Sequence, residues 1–120
     1  MKNILVVDDS RSLRQMVAFT LQQSGYQVTE AQDGMEALEM AQGSPFDLVL
    51  TDQNMPRKDG LSLIQDLRRT PAFQSTPMLV LTTESGTEMK VQARAAGATG
   101  WITKPFDPQR LIDVVARMIG

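Results

Sequence analysis

Apolar runs of three to five residues alternate along this chain with longer stretches whose apolar positions recur every three or four residues. Ile4–Val7 is apolar throughout, as a strand covered on both faces would be. From about Ser12 to Gln23 the spacing of Leu13, Met16, Val17, Thr20 and Leu21 predicts a helix, which Gly25 stops. Gln27–Glu30 predicts a second strand, more polar and therefore at a sheet edge. Asp33, with Glu36 three residues on, predicts a capped helix that runs to about Gln42 and ends at Gly43-Ser44-Pro45. Leu48–Leu50 is long enough for a short buried strand and too short for a helix. It carries Asp52 to its carboxyl end, and Pro56 and the Asp59-Gly60 pair then mark a turn. A helix from about Leu61 to Arg69 buries Leu63, Ile64 and Leu67. Pro71 and Pro77 bracket a loop before a fourth strand, Met78–Leu81. Ser85 with Glu88 predicts a capping box for a helix that stops near Gly97. Gly100–Thr103 is the fifth strand. Asp107 and Pro108 open a last helix that turns Leu111, Ile112, Val115, Met118 and Ile119 inward.

This is a strand–helix unit repeated five times. Short connections and right-handed crossovers then favour a doubly wound α/β fold, a parallel sheet with helices on both faces. No linker or low-complexity tract interrupts it, so residues 1–120 are expected to form one domain. In parallel strands the carboxyl ends share one edge, where open sheets of this kind bind ligands. Four strands end there on polar residues: Asp8 and Asp9, Asp52, Thr82, and Lys104 before Pro105. Three carboxylates, a hydroxyl and an ammonium are thus expected in one crevice.

Composition narrows the chemistry. The chain has 120 residues, a net charge of −2, no Cys and no His. A disulfide framework, a thiolate metal site, a His-ligated metal and a His general base are all excluded. The charge balance argues for no nucleic-acid partner. The amino terminus has no signal-peptide apolar region and no stretch approaches transmembrane length, so the expectation is a cytoplasmic protein without a membrane partner. Met16, Met35, Met40, Met89 and Met118 are expected to fill the core. Arg11, Arg14, Arg68, Arg69, Arg94, Arg110 and Arg117 are expected on solvated faces.

Two carboxylates about 5 Å apart repel by roughly 3 kcal/mol at an effective dielectric near 20. Lys104 offsets part of that. A hard divalent cation with oxygen ligands offsets the rest, and Mg²⁺ is suited to one or two carboxylates shared with phosphate and water. A carboxylate beside Mg²⁺ and a lysine can attack phosphorus and form an aspartyl phosphate. The cation, Lys104 and the Thr82 hydroxyl suit the charge on the transferring group.

Four segments together resemble the receiver domain of bacterial two-component response regulators, of the single-domain chemotaxis (CheY-like) type. They are Val6-Val7-Asp8-Asp9-Ser10, Asp52-Gln53-Asn54-Met55-Pro56-Arg57-Lys58-Asp59-Gly60, Leu81-Thr82, and Gly97 through Phe106 with Thr103-Lys104-Pro105. The resemblance spans essentially the whole chain and implies the flavodoxin-like strand order 2-1-3-4-5. It implies Asp52 as phosphoacceptor in a two-component signalling switch. It implies Mg²⁺, with Mn²⁺ as a substitute, held by Asp9, Asp52 and the Asn54 backbone carbonyl, with Asp8 acting through water. Thr82 and Lys104 would contact the phosphoryl group, and Lys104–Pro105 would be a cis peptide. Trp101 takes the aromatic switch position coupled to Thr82, and the face made by the fourth helix, fifth strand and fifth helix would respond. Asn54, Thr83 and Glu84 would tune dephosphorylation and imply a phosphoform that is neither extremely stable nor inert. The implied partners are a chemotaxis-type histidine kinase, a phosphatase, and an output protein such as the flagellar motor switch, with the chain acting as a monomer. A departure from the family is Trp101, where Tyr or Phe is usual. Thr83 stands where a small residue is common, and Gln53 replaces an apolar one.

Three other readings compete. A receiver that only drains phosphoryl groups, or one cut from a longer regulator, would share every motif. With the chain ending soon after the fifth helix, output is expected by protein–protein contact. A Mg²⁺-dependent phosphohydrolase resembling the haloacid dehalogenases would carry a second acid two residues after the nucleophile, where Asn54 stands. The chain is accordingly expected to catalyse only its own phosphorylation and dephosphorylation. A flavin or nucleotide binder would need an anion-accepting first turn, which Asp8 and Asp9 oppose.

Overall fold

The computed structural model describes all 120 residues. Five parallel strands form one sheet: β1 (Asn3–Val7), β2 (Gln27–Ala31), β3 (Leu48–Asp52), β4 (Met78–Thr82) and β5 (Gly100–Thr103). Their order is β2-β1-β3-β4-β5. Five helices connect or follow them: α1 (Arg11–Gln23), α2 (Gly34–Gly43), α3 (Gly60–Arg68), α4 (Thr87–Ala96) and α5 (Pro108–Ile119). Pro71–Phe73 adds one 3₁₀ turn in the loop bracketed by the two prolines.

The strand pleat sorts the core into two layers, because successive side chains leave opposite faces. On one face Ile4, Val6, Leu48, Leu50, Leu79 and Leu81 pack with Val17 and Leu21 of α1 and with Leu111 and Val115 of α5. On the other, Leu5, Val7, Val49, Met78 and Val80 meet α2, α3 and α4 through Ala37, Ala41, Leu63, Ile64, Leu67, Met89 and Ala93. β1, β3 and β4 are therefore apolar on both faces, while the edge strand β2 is half polar. The chain reverses its direction of winding beside β1, and the carboxyl ends of β1 and β3 flank that point.

Side-chain caps set most helix starts. Ser10, Asp33, Asp59 and Asp107 each accept a bond from the backbone N–H three residues on. Four expectations need correction. Asp59-Gly60 is no mere turn: Asp59 caps α3 and Gly60 is its first residue. Ser85 and Glu88 form no capping box, because Gly86 occupies the N-cap in extended conformation and leaves α4 without a side-chain cap. Met16 and Met35 are exposed rather than core, each at 38%. Arg14 and Arg68 are not on solvated faces. Arg14 donates to Glu30 and to the Asp8 carbonyl. Arg68 donates to the carbonyls of Gly97, Phe73 and Gln74, tying α3 to the end of α4.

Asp33 also pairs with Arg57, and this bond first, then the Glu36 N–H, holds its carboxyl below the usual carboxylate range. A lowered native value means that the unfolded chain binds the proton more readily. The stabilisation is therefore complete above the ordinary value of 3.8 and fades as pH falls through the lowered native one. Asp33→Asn keeps a capping oxygen but has no such proton linkage. Its stability is expected to fall less steeply below about pH 4 in a series of urea melts.

Candidate functional site

Asp8 follows β1, Asp52 closes β3, Thr82 closes β4 and Lys104 follows β5, so the topology gathers all four at one sheet edge. Carboxylate oxygens of Asp8, Asp9 and Asp52 lie within 4.8 Å of one another. Asp8 and Asp52 are buried, at 2% and 6% exposure, and Asp9 is exposed. Lys104 reaches in from the far side and donates to Asp52 Oδ1 at 2.6 Å. Its Nζ stands 4.0 Å from Asp8 Oδ2, an ion pair but not a hydrogen bond. Lys104–Pro105 is cis, as the resemblance implies. The Lys104 N–H donates to the Thr82 carbonyl at 2.7 Å, which continues the β4–β5 pairing to the site.

One ammonium does not balance three carboxylates. Asp8 Oδ1 accepts from the Ser10 N–H at 2.9 Å, whereas Oδ2 is buried and accepts nothing. Burial pushes the Asp8 carboxyl above its ordinary range. The Ser10 N–H opposes this, and the charge of Asp52 adds to it. A buried acceptor without a donor is costly. An oxygen-preferring cation, or water held by one, is the kind of partner that this donor set lacks.

The remaining sequence candidates surround the cluster. Thr82 is buried at 1% exposure, and its Oγ1 accepts from the Glu84 N–H at 3.0 Å. Asn54, Thr83 and Glu84 are exposed on the loops after β3 and β4. Trp101 does not join the carboxylates. It lies on β5, half-buried against the α2–α3–α4 layer, with Lys90 Nζ of α4 at 5.8 Å from its ring centroid. Such a cation over an indole links α4 to β5 weakly.

Three features escaped the sequence reading. The Gln53 side-chain oxygen accepts from the Leu61 N–H at 2.9 Å, joining the residue after Asp52 to the first turn of α3. Gly60 packs its bare Cα against the Asp52 carbonyl. Arg57 adopts a left-handed backbone and pairs with Asp33. Only the Gly had a visible signal, its place after Asp59.

A crevice of carboxylates with one lysine, at the switch point of a 2-1-3-4-5 sheet, makes this a doubly wound α/β protein whose site suits a hard cation and an anionic group such as phosphate. Comparison with known proteins agrees: residues 4–116 match the response regulator receiver domain, and the chain belongs to that family. It is 39% identical over 119 residues to the chemotaxis protein CheY1 of Helicobacter pylori, covering 98% of this chain and 96% of that one. The crystal structure of Vibrio cholerae chemotaxis protein CheY4 superposes with a TM-score of 0.95 at 46% identity, covering 98% of both chains. The receiver domain of the Pseudomonas aeruginosa sensor histidine kinase PA1611, solved with magnesium coordinated in its active-site cleft, superposes with a TM-score of 0.91 at 28% identity, covering 99% of this chain and 98% of that one. The chain is thus a signalling protein homologous to the CheY response regulators. No helix is long and apolar enough to cross a membrane.

Proposed function

We propose that Asp52 accepts a phosphoryl group from a chemotaxis-type histidine kinase in a Mg²⁺-dependent reaction, and that the α4–β5–α5 face then changes for partner binding. The observation that carries this is the Lys104 ammonium 2.6 Å from Asp52 Oδ1 inside a cluster of three carboxylates. Asp9, Asp52 and the Asn54 carbonyl would hold the cation, with Asp8 acting through water. When bound, Mg²⁺ would neutralise the carboxylates and the phosphoryl oxygens.

Asp52 attacks the phosphorus in line, the bond to the donor atom breaks, and the leaving group departs with the electron pair. Lys104 moves from Asp52 toward a phosphoryl oxygen, and the Thr82 hydroxyl turns to donate to another. That turn frees the Glu84 N–H at the entrance to α4, whose first residues lack a side-chain cap. Trp101 beneath Lys90 then repacks, and α4 shifts against β5. Asn54, Thr83 and Glu84 border the site and set the lifetime of the acyl phosphate. The chain carries no activity beyond its own phosphorylation and dephosphorylation. It acts as a cytoplasmic monomer whose further partners are a phosphatase and an output protein such as the flagellar motor switch.

The test is incubation with acetyl phosphate, with and without Mg²⁺, read by intact mass and Trp fluorescence. One phosphoryl group should be gained only with Mg²⁺ and be lost in Asp52→Asn. Because Trp101 is the sole Trp, its fluorescence should change with the same dependence. Cation binding without phosphorylation would sink the phosphoacceptor reading. Phosphorylation at constant fluorescence would remove Trp101 from the switch.

A further inference from the structure

The loop after Asp52 holds a strained residue. The Lys58 N–H donates to the Pro56 carbonyl at 2.8 Å, which closes a three-residue turn around Arg57. Arg57 has φ +68°, the only positive φ of a residue other than Gly in the chain. A γ-turn of positive φ is rare and strained, and a left-handed residue with a Cβ shifts an equilibrium by about tenfold against itself. Such a turn persists only where its surroundings hold it.

Few main-chain bonds do so. The loop is tied at one end by the Gln53 N–H to the Leu81 carbonyl and at the other by the Gly60 N–H to the Gln53 carbonyl. Between them Asn54, Met55 and Arg57 donate no backbone bond to the main chain. Side chains hold the middle: Met55 packs against the core, Lys58 pairs with Asp66 of α3, and Arg57 itself is held by a fork. Arg57 Nε donates to Asp33 Oδ2 at 2.9 Å and Arg57 Nη2 to Asp33 Oδ1 at 2.8 Å. Both carboxylate oxygens are engaged, in the planar bidentate geometry that only arginine supplies. Asp33 is itself fixed as the N-cap of α2. The next residue, Gly34, completes the seat: a Cβ there would lie 2.6 Å from the Lys58 carbonyl oxygen. The start of α2 is thus shaped to receive this loop.

We propose that Asp33 and Arg57 form a latch that seats the strained turn on α2 and so positions the Asn54 carbonyl three residues away for the metal. Both are positioning residues and neither touches the cation. The inference rests on the reading of Asp9, Asp52 and the Asn54 carbonyl as the Mg²⁺ ligands.

Sign separates the latch from simple electrostatics. Removing a cation from the neighbourhood of a divalent ion should tighten binding, whereas loosening a ligand-bearing loop should weaken it. The strain separates alanine from glycine. Arg57→Ala loses the fork and keeps the left-handed cost, while Arg57→Gly loses the fork and the cost together.

The test uses Mn²⁺ as probe. Free Mn²⁺ is measured by its EPR signal as it is titrated into the full chain, and Mg²⁺ is then added to displace it. Arg57→Ala should weaken binding by about fivefold to tenfold. Arg57→Gly should stay within about twofold of the parent chain. Asp33→Asn should weaken binding, and the Asp33→Asn, Arg57→Ala pair should be no weaker than Arg57→Ala alone, since both break one contact. Equal affinities in the parent, Arg57→Ala and Asp33→Asn would overturn the latch, as would tighter binding in Arg57→Ala. Absence of Mn²⁺ binding in the parent chain would instead overturn the metal reading, and the latch with it. Thermal melts of each variant confirm that the folded protein is being titrated.

Discussion

Asp8→Asn should melt about 4–10 °C above the parent chain when both are free of metal. The reason is a single buried oxygen. Asp8 Oδ2 has no donor, and Lys104 is 4.0 Å away and bonded to Asp52 instead. Burial already disfavours its charge, and Asp52 and Asp9 add repulsion. Asparagine keeps the oxygen that accepts from Ser10 and places an N–H₂ donor among acceptors where the charged oxygen was. Relief of about 1–2 kcal/mol follows, less than the full repulsion because Lys104 loses an attraction. In saturating Mg²⁺ the order should shrink or reverse. With the proposed cation bound, the parent chain would gain about 2.7 kcal/mol at a hundredfold excess over its dissociation constant. The variant, lacking the carboxylate proposed to act on the cation through water, should bind about tenfold to a hundredfold more weakly. Calorimetric melts with and without Mg²⁺ decide this. A metal-free variant less stable than the parent would mean that Asp8 is retained for the fold and not for the cation.

That oxygen illustrates what could be read in advance and what could not. The three inner strands are apolar on both faces, so short buried runs announce them, and the Asp33 and Asp107 caps announce α2 and α5, whereas the Ser10 and Asp59 caps went unread. Strand order is different. Nothing in the spacing of Ile4–Val7, Leu48–Leu50 and Met78–Leu81 places β1 between β2 and β3, and that order came with the family likeness. The residues of the candidate site, Asp8, Asp9, Asp52 and Lys104, were legible because each ends or follows a strand whose carboxyl end lies at the same edge. Residues that support the site through the main chain were not. Arg68 looks like any surface arginine until Gly97, Phe73 and Gln74 turn their carbonyls toward it, and no side-chain pattern reports the direction of a carbonyl. The start of α4 failed for a related reason: Gly86 could adopt the N-cap conformation itself, which displaced the helix start by one residue from Ser85. The left-handed φ of Arg57 is equally silent, since arginine has no preference for it.

Gly60→Ala should be the most damaging small substitution in the chain. A Cβ at this position would fall inside contact distance of the Asp52 carbonyl oxygen and 3.1 Å from the Gln53 Cα. These are backbone atoms, so no side chain can swing away. Either the first turn of α3 lifts from the end of β3, or Asp52 moves. Lifting breaks the Gly60 N–H bond to the Gln53 carbonyl and the Leu61 N–H bond to the Gln53 side chain. Moving shifts the residue proposed to meet phosphorus in line, beside a Lys104 bond of 2.6 Å. The expected cost is about 2–3 kcal/mol of stability, or roughly 8–15 °C in melting temperature. Phosphorylation by acetyl phosphate should slow by on the order of a hundredfold, as a misplacement near 1 Å commonly produces. Gly43→Ala is the matched control. The added methyl meets nothing within 4 Å at the end of α2, and φ there is not positive. Helix propensity and a less flexible unfolded chain should stabilise that variant by about 0.5–1 kcal/mol with phosphorylation unchanged. If Gly60→Ala instead melts and reacts like the parent, the contact between α3 and the Asp52 carbonyl is soft, and the acceptor is positioned by β3 and Lys104 alone.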